Sequence, residues 1–184
     1  MGRMKVARGV RYAEISAVVS RRDGSVEDLG ILARYSQPWY LRLAERIADE
    51  MGMATLQVNT GRAVVTALLA GGVTYPKWVG WGDGSGTTMA TDTNLFFAAM
   101  SAVTEARVSG TQTQVTTTTT FDTYQCVATL TANETIGITN AGIFDAAGSG
   151  TPPAGGNLYV KGDFAVINLS TGDSIQFTFK VAYS

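Results

Sequence analysis

Glycine recurs at every second position of one short stretch, and this is where ligand chemistry would first be sought. The segment WVGWGDGSGTTMATDTNL, residues 78–95, has glycine at positions 80, 82, 84 and 86. Glycine-rich loops can cradle phosphate with backbone amides, and with acidic side chains they can bind calcium. A bend after a strand uses the same residue, because glycine accepts a positive φ and lets other backbone approach closely.

The residues that would complete a phosphate or calcium site are missing from this stretch. A Walker loop requires a lysine directly after its last glycine, and GDGSGTT has Thr87 but no lysine. The dinucleotide fingerprint requires a third glycine that opens a helix between parallel strands, and the spacing here does not supply it. Asp83 stands nearly alone, whereas calcium takes several oxygen ligands. The stretch therefore predicts a turn with no cofactor or metal site, while calcium binding by a loop aspartate stays open.

The composition removes the commonest catalytic systems. The 184-residue chain contains no histidine and one cysteine, so it lacks the general base of Ser-His-Asp and Cys-His systems and a common zinc ligand. Acids after residue 80 are spread singly, and most adjoin Gly, Thr or Asn, as acids of loops and turns do. These acids are Asp83, Asp92, Glu105, Asp122, Glu134, Asp145, Asp163 and Asp173. We therefore expect a protein that is not an enzyme.

Ahead of the glycine-rich stretch, the sequence predicts a β-hairpin and one helix. Alternating apolar residues in 12–34 flank Asp23-Gly24, a pair that suits a turn with positive φ. A helix is expected over residues 37–51, where Ser36 can cap its start. Its apolar stripe consists of Tyr40, Leu43, Ala44, Ile47, Ala48 and Met51. Residues 53–72 fit short strands or a buried helix equally well.

From residue 73 onward, threonine is abundant, charge is sparse and short alternating runs recur. Candidate strands are YPKWVGWG, SAVTEARVSG, QTQVTTTTTF, TYQCVATLT, IGITNAGIFDA, NLYVKGDFAVINL and SIQFTFKVAY. Threonine-rich strands with one apolar face are typical of antiparallel sandwiches. Cys126 falls on the apolar face of its run, which predicts a buried small hydrophobe. The predicted fold is mainly β, a single antiparallel β-sandwich or jelly-roll-like domain over residues 12–184, with hairpin 12–34, inserted amphipathic helix 37–51 and sandwich 73–184.

Charge is low overall and gathers at the start of the chain. The net charge of −1 argues against a generally basic nucleic-acid binder. Residues 1–11 carry four cations and no acid, so this arm docks on an acidic protein surface or on nucleic acid, or it is a solvated tail. The cations are Arg3, Lys5, Arg8 and Arg11. The basic start and the lack of an apolar run of bilayer length lead us to expect a protein made in a cytoplasm-like compartment.

Five segments follow one another in a recognisable order. They are RRDGSVEDLGIL, KWVGWGDGSGTTMATDTNLFF, RVSGTQTQ, ITNAGIFDAA and FAVINLSTGDSIQFTFKVAYS. The series resembles small virion proteins of tailed bacteriophages. Their pattern has a hairpin with a D-G turn, then G-x-G-T/S-G-T before D-T-x-L, then E-A/H-G-I/L-F, and a closing phrase around I-N-x-x-x-G-D. The resemblance covers most of residues 15–34 and 77–183. The chain departs from it at Asn140-Ala141-Gly142, where an acid often precedes the glycine, and in the inserted helix.

This resemblance implies a non-enzymatic structural protein of the phage virion, assembled in the host cytoplasm. It would be a head decoration or cement protein that binds the outside of the capsid shell and stabilises it. Its partners would be the major capsid protein, other virion proteins and copies of itself in a dimer or trimer, with no membrane and no nucleic acid. Candidate contacts are Arg3, Lys5, Arg8, Arg11, Trp39 and Trp81, because arginine and aromatic side chains carry most interface energy.

Two alternatives stay open. The same resemblance fits a tail, neck or baseplate component. A carbohydrate-binding sandwich module would instead require a row of exposed aromatic residues, and the spacing of Trp78 and Trp81 places them on opposite faces of a strand.

Overall fold

The computed structural model describes residues 10–36, 55–57, 68–71, 75–116 and 122–183. Ten strands lie in these ranges and form two antiparallel sheets. The strands are β1 (Val10–Ser20), β2 (Val26–Ser36), β3 (Thr55–Gln57), β4 (Trp78–Gly82), β5 (Val108–Ser109), β6 (Thr111–Val115), β7 (Thr123–Thr131), β8 (Ile136–Phe144), β9 (Leu158–Leu169) and β10 (Ser174–Tyr183). Sheet A has the order β2-β1-β10-β7-β6, and sheet B has the order β3-β9-β8-β4-β5.

The two sheets pack against each other across one apolar core. Alternate residues of each long strand point inward, as expected for antiparallel sheets that bury one face. In β10 the inward residues are Ile175, Phe177, Phe179 and Val181, all fully buried. Ring contacts link the sheets, with centroids 6.0 Å apart for Tyr124 and Tyr159 and 6.2 Å apart for Phe164 and Phe177. The prediction of a mainly β, sandwich-like architecture is confirmed.

The N-terminal hairpin forms as predicted, with β1 and β2 paired antiparallel. Gly24 takes a φ of 87°, and the Asp23 carboxylate accepts a 2.9 Å hydrogen bond from the Ser25 amide. Two shifts of the pairing register place bulges in β2. Because the bulges accommodate extra residues, Leu29 and Leu32 both pack partly against the core.

Single elements follow the sequence-based expectations in part. Cys126 is fully buried in β7, as predicted. The strand expected over SAVTEARVSG is confined to Val108–Ser109, and residues 101–107 have no regular secondary structure. The predicted helix 37–51 lies outside the described residues, and its proposed cap, Ser36, belongs to β2. Since β1 begins at Val10, Arg11 is a strand residue rather than part of an arm.

Candidate functional site

Residues 83–107, here called the cover loop, lie across the outer face of sheet B. The loop contains no helix and no strand. Its Leu95 and Phe97 pack with Trp78, Phe144 and Leu158, and these residues form an apolar cluster separate from the main core. A connection of this length without secondary structure is uncommon in a compact domain and is usually functional. The contacts that hold it therefore define the first candidate region.

The glycines of the WVGWGDGSG stretch make room for the cover loop. The predicted positive-φ turn is wrong, because Gly80, Gly82, Gly84 and Gly86 all lie outside the positive-φ region, and the first two belong to β4. A Cβ added at Gly84 would lie 2.5 Å from the carbonyl carbon of Phe97, a distance that no real side chain tolerates. Close approach of backbone, the other reason for glycine, is confirmed.

Asn140 of β8 fixes the cover loop above these glycines. Its side chain is buried, and its Oδ1 accepts a 3.1 Å hydrogen bond from the amide of Phe96. Its Nδ2 donates to the carbonyl oxygens of Gly84 and Phe96, each at 3.1 Å. A carboxylate could accept the first bond but could not donate the other two. This arrangement requires an amide rather than an acid at position 140.

Asp83 anchors the second half of the cover loop. Its carboxylate accepts hydrogen bonds from the Ala98 amide at 3.0 Å, the Ala102 amide at 2.9 Å and the Ser101 hydroxyl at 2.8 Å. Burial opposes ionisation of Asp83, but these hydrogen bonds together outweigh burial and lower its pKa. Because the Asp83 oxygens face three donors, they serve as hydrogen-bond acceptors, and this geometry does not favour a calcium site.

Arg107 joins the end of the cover loop to the loop between β8 and β9. The residue is 4% exposed, and its guanidinium lies over the Phe144 ring. It donates to the carbonyl oxygens of Gly155 at 2.6 Å and Pro153 at 3.2 Å. Burial lowers the pKa of Arg107 to about 10, although the charge of Asp145 opposes this shift. Arg107 is therefore still cationic at neutral pH.

Lys161 of β9 forms a buried ionic cluster beneath the cover loop. The residue is fully buried, and its ammonium lies under the Phe96 ring. Its Nζ is 3.0 Å from Oδ2 of Asp92 and 3.9 Å from Oδ1 of Asp163. Oδ2 of Asp163 accepts a hydrogen bond from the Thr88 amide. Oδ1 of Asp163 and the Thr88 hydroxyl are buried without a hydrogen-bond partner.

Glu105, near the end of the cover loop, also serves as a structural hydrogen-bond acceptor. Glu105 accepts hydrogen bonds from Nε1 of Trp81 at 3.3 Å and from the Asn133 amide at 2.7 Å. Within the ranges that the structure covers, no group of three or more cysteine, aspartate or glutamate residues could hold a metal ion. The polar groups on this side of the molecule hold backbone in place.

The outer face of sheet A, here called the hydroxyl face, differs from that of sheet B. Its strands place short hydroxyl, amide and β-branched side chains side by side. One row across all five strands consists of Ile31, Ser16, Thr178, Val127 and Thr111. Neighbouring strands are linked by hydrogen bonds between the Thr131 and Ser174 hydroxyls at 2.7 Å and from the Gln125 amide to the Thr113 hydroxyl at 3.3 Å. The rows of side chains across the strands resemble one another, so no single side chain determines the character of this surface.

Charges on the hydroxyl face are few. Arg34, Glu14 and Lys180 share one row, and the Arg34 guanidinium lies 2.9 Å from the Glu14 carboxylate. Asp28 is the charged residue of another row, opposite Val18. Val26 and Ile31 are 68% and 46% exposed. The face is therefore broad and polar, with its charge concentrated toward the β2 side.

Sheet A ends in two edge strands that are protected differently. β2 carries two bulges and the charged residues Glu27, Asp28 and Arg34. β6, with the sequence TQTQV, pairs with β7 without any register shift and has no charged or proline residue. Bulges, charges and prolines are the usual means by which a sheet edge avoids pairing with another chain. By that criterion, and among the strands that the structure describes, β6 is the edge of sheet A without such protection.

Of the residues predicted to contact a partner, the structure describes Arg11 and Trp81. Trp81 is 2% exposed and belongs to the core, so it presents almost no surface to a partner. Arg11 lies in β1. Arg3, Lys5, Arg8 and Trp39 lie outside the described residues. The hydroxyl face and the β6 edge were missed as candidate sites.

Lys161 and Arg107 were also missed. Lys161 stands in YVKGDF, where a lysine and an aspartate two residues apart interrupt an otherwise apolar strand. That interruption indicates a charged pair on one face of the strand. No comparable local signal marks Arg107, whose partners come from a distant loop.

The comparisons with known proteins assign no family. No family model, curated protein or solved structure matches the chain. Within the described residues, none of the helices is long and apolar enough to span a bilayer.

Proposed function

We propose that this chain is a non-enzymatic structural protein of a tailed-phage virion, a head decoration or cement protein that binds the outside of the capsid shell. The order of sequence motifs suggests the class of particle. The architecture supports a binding role, because the cover loop uses its polar groups internally while the hydroxyl face remains open. We also propose that the strands have a jelly-roll-like connectivity and that an amphipathic helix is inserted over residues 37–51.

The observation that carries the proposal is the hydroxyl face together with the β6 edge. This surface is broad and carries few charges, and its similar polar side chains suit many weak contacts. A protein repeated over a shell gains avidity from many copies, so shallow contacts suffice. The capsid shell and neighbouring copies are the partners that we propose for it.

Self-association follows from the unprotected edge. No described strand pairs with the outer edge of β6, so its hydrogen-bonding groups can pair with a strand of a second copy or be covered in a closed ring. We therefore propose a dimer or trimer on the particle, with weak association when the protein is free.

The direct test adds purified protein to capsids that lack it and measures occupancy by co-sedimentation and electron cryomicroscopy. Thr129→Lys places a charge in the middle of the hydroxyl face, whereas Met100→Lys places the same charge on the cover loop, where Met100 is 95% exposed. We expect Thr129→Lys to lower occupancy and Met100→Lys to leave it unchanged. Equal occupancy for both variants would contradict the role of the hydroxyl face, and failure of the wild type to bind any capsid would contradict the proposal.

The basic arm gives a second test. Because β1 starts at Val10, a deletion of residues 1–9 removes Arg3, Lys5 and Arg8 without cutting the strand. We expect an unchanged melting temperature and lower occupancy, with the wild-type advantage weakening as salt rises. Full occupancy at low and high salt would identify the arm as a tail only.

The alternatives predict different observations. A tail, neck or baseplate component would be found by imaging at that position of the virion. A carbohydrate-binding module would require exposed aromatic residues in a row, but Trp81 is buried. Specific binding on a glycan array, abolished by changes on the hydroxyl face, would favour the module instead.

A further inference from the structure

The buried cluster around Lys161 has an unusual arrangement for a salt bridge. A fully buried lysine contacts one carboxylate, Asp92, at 3.0 Å, while a second carboxylate, Asp163, lies 3.9 Å away with Oδ1 lacking a hydrogen-bond partner. Burying an unsatisfied carboxylate oxygen is costly, so such a group in a folded protein calls for an explanation. A proton-transfer role would supply one.

We propose that Lys161 and Asp92 form an intramolecular amide bond, with Asp163 as the proton-transfer group. The bond would join Nζ of Lys161 to Cγ of Asp92. It would link β9 covalently to the cover loop. This inference rests on the cluster alone and is independent of the proposed function.

Burial favours the neutral forms of Lys161 and of the proton-transfer group Asp163. Burial lowers the pKa of the Lys161 ammonium, against the opposing effect of its carboxylate partners. Burial likewise raises the pKa of Asp163, although its contacts with Thr88 and Lys161 oppose the rise. A neutral amine is nucleophilic, and a protonated Asp163 can supply the proton that turns the Asp92 carboxylate into a better acceptor.

The reaction balances without any added reagent. The Lys161 ammonium passes a proton to the Asp92 carboxylate through Asp163, which leaves an amine beside a carboxylic acid. The nitrogen lone pair attacks Cγ of Asp92 and forms the C–N bond. Asp163 then carries a proton from the nitrogen to the departing hydroxyl, the C–O bond breaks, and one water molecule leaves.

Groups around Lys161 and Asp92 are placed to assist the attack and to keep water away. The Met89 amide donates a 3.0 Å hydrogen bond to Oδ2 of Asp92, which would stabilise negative charge on that oxygen during attack. The Phe96 ring covers Nζ of Lys161 and shields it from water. The side chains of Asp92 and Asp163 are each 11% exposed. The product amide would therefore also be protected from hydrolysis.

Intact-mass spectrometry of the purified full-length chain tests the proposal. We expect a mass lower than that of the sequence by one water molecule, and a tryptic peptide that joins the segment containing Lys161 to the segment containing Asp92. Lys161→Met and Asp92→Ala should each show the mass calculated from their own sequence, with no loss of water. A folded wild-type chain that keeps its full mass after long incubation at neutral pH overturns the proposal.

Asp163→Asn separates chemistry from folding. It retains both joined residues and the approximate shape of Asp163, but it cannot carry the proton. We expect linking to slow by about 100-fold or more. Circular dichroism checks that this variant is folded. Linking at the wild-type rate in folded Asp163→Asn would refute the role of Asp163, and a link mapped to other residues would refute the proposed bond.

Discussion

Residues 83–107 cover the outer face of sheet B, whereas the described residues on the outer face of sheet A are mostly exposed or half-exposed. On sheet B, glycines clear the surface, and Asn140, Asp83 and Arg107 each bind backbone atoms of distant segments. On sheet A, short hydroxyl and amide side chains bond mainly to their neighbours across the strands. The same polar chemistry thus serves a single fixed arrangement on one side and a repetitive surface on the other.

This difference predicts which substitutions should lower stability and which should change association. A buried polar group with unique partners is expensive to remove, because its partners are left unsatisfied. An exposed hydroxyl in a row of similar groups can be replaced with little loss of stability. Stability should therefore depend on the covered face, and association on the open one.

The largest effect is expected for Gly84→Ala in the cover loop. The new Cβ would lie 2.5 Å from the Phe97 carbonyl carbon, and backbone on both sides would have to shift. We expect the free energy of unfolding to fall by about 3 kcal/mol. Urea denaturation measures it, with Thr129→Ala on the hydroxyl face as the control, expected to stay within about 0.5 kcal/mol of wild type. Equal losses for both variants would remove the contrast between the faces.

A slightly smaller loss is expected for Asn140→Asp. The change keeps the shape of the side chain but removes the Nδ2 donor, so the carbonyl oxygens of Gly84 and Phe96 lose their hydrogen bonds. We expect a loss of about 2 kcal/mol at neutral pH. The same chemical change at exposed Asn168 should have almost no effect. A tolerated Asn140→Asp would show that Asn140 does not hold the loop through its amide donor.

Acid should loosen the cover loop before it affects the hydroxyl face. The lowered pKa of Asp83 means that its contribution is complete above the ordinary aspartate pKa and is lost as pH falls through the lowered value. Hydrogen exchange at the Ala98 and Ala102 amides should therefore accelerate in that acidic range. Asp83→Asn should produce the same loosening at neutral pH. If acid leaves these amides as protected as those of β10, Asp83 is not the anchor.

The smallest effect on stability is expected at the β6 edge. Thr113→Lys adds the kind of charge that protects other edges, so self-association should weaken while the free energy of unfolding changes by no more than about 0.5 kcal/mol. Val26→Lys on the bulged β2 edge is the matched control and should leave association unchanged. Sedimentation velocity measures both variants. Weakened association in the control alone would place the interface at β2.

Local patterns predicted much of the fold. Alternation located β7, β8, β9 and β10, and the Asp23-Gly24 pair located the hairpin turn, because strand period and turn chemistry are encoded within a few residues. The glycine stretch was assigned the wrong geometry. A glycine kept for positive φ and one kept for close approach look identical in sequence, and only the position of Phe96 and Phe97 distinguishes them.

The candidate sites were harder to predict, since their members come from distant segments. Asp92 and Lys161 are 69 residues apart, and Arg107 binds a loop 48 residues later. Threonine and glutamine on an outward face also carry no local signal of binding, because any solvated strand has similar residues. Trp81 illustrates the converse case. The aromatic residue suggested an interface, but it shares the inward face of β4 with Val79 and is buried in the main core, while Gly80 and Gly82 face the cover loop.

The pairing of β1 with β10 in the middle of sheet A has a consequence for biosynthesis. Ile15 lies opposite Phe179. One edge of β1 pairs with β2 soon after both are made, but the other edge stays unpaired until β10 has been made. At about 5–20 residues per second, translation separates these two strands by roughly 10 to 30 seconds. During that interval the emerging hairpin exposes one side of β1 to other chains, and contacts between such distant residues also form slowly. Sheet A can therefore close only after β10 has emerged from the ribosome, so the hydroxyl face is completed after every other described strand has been made.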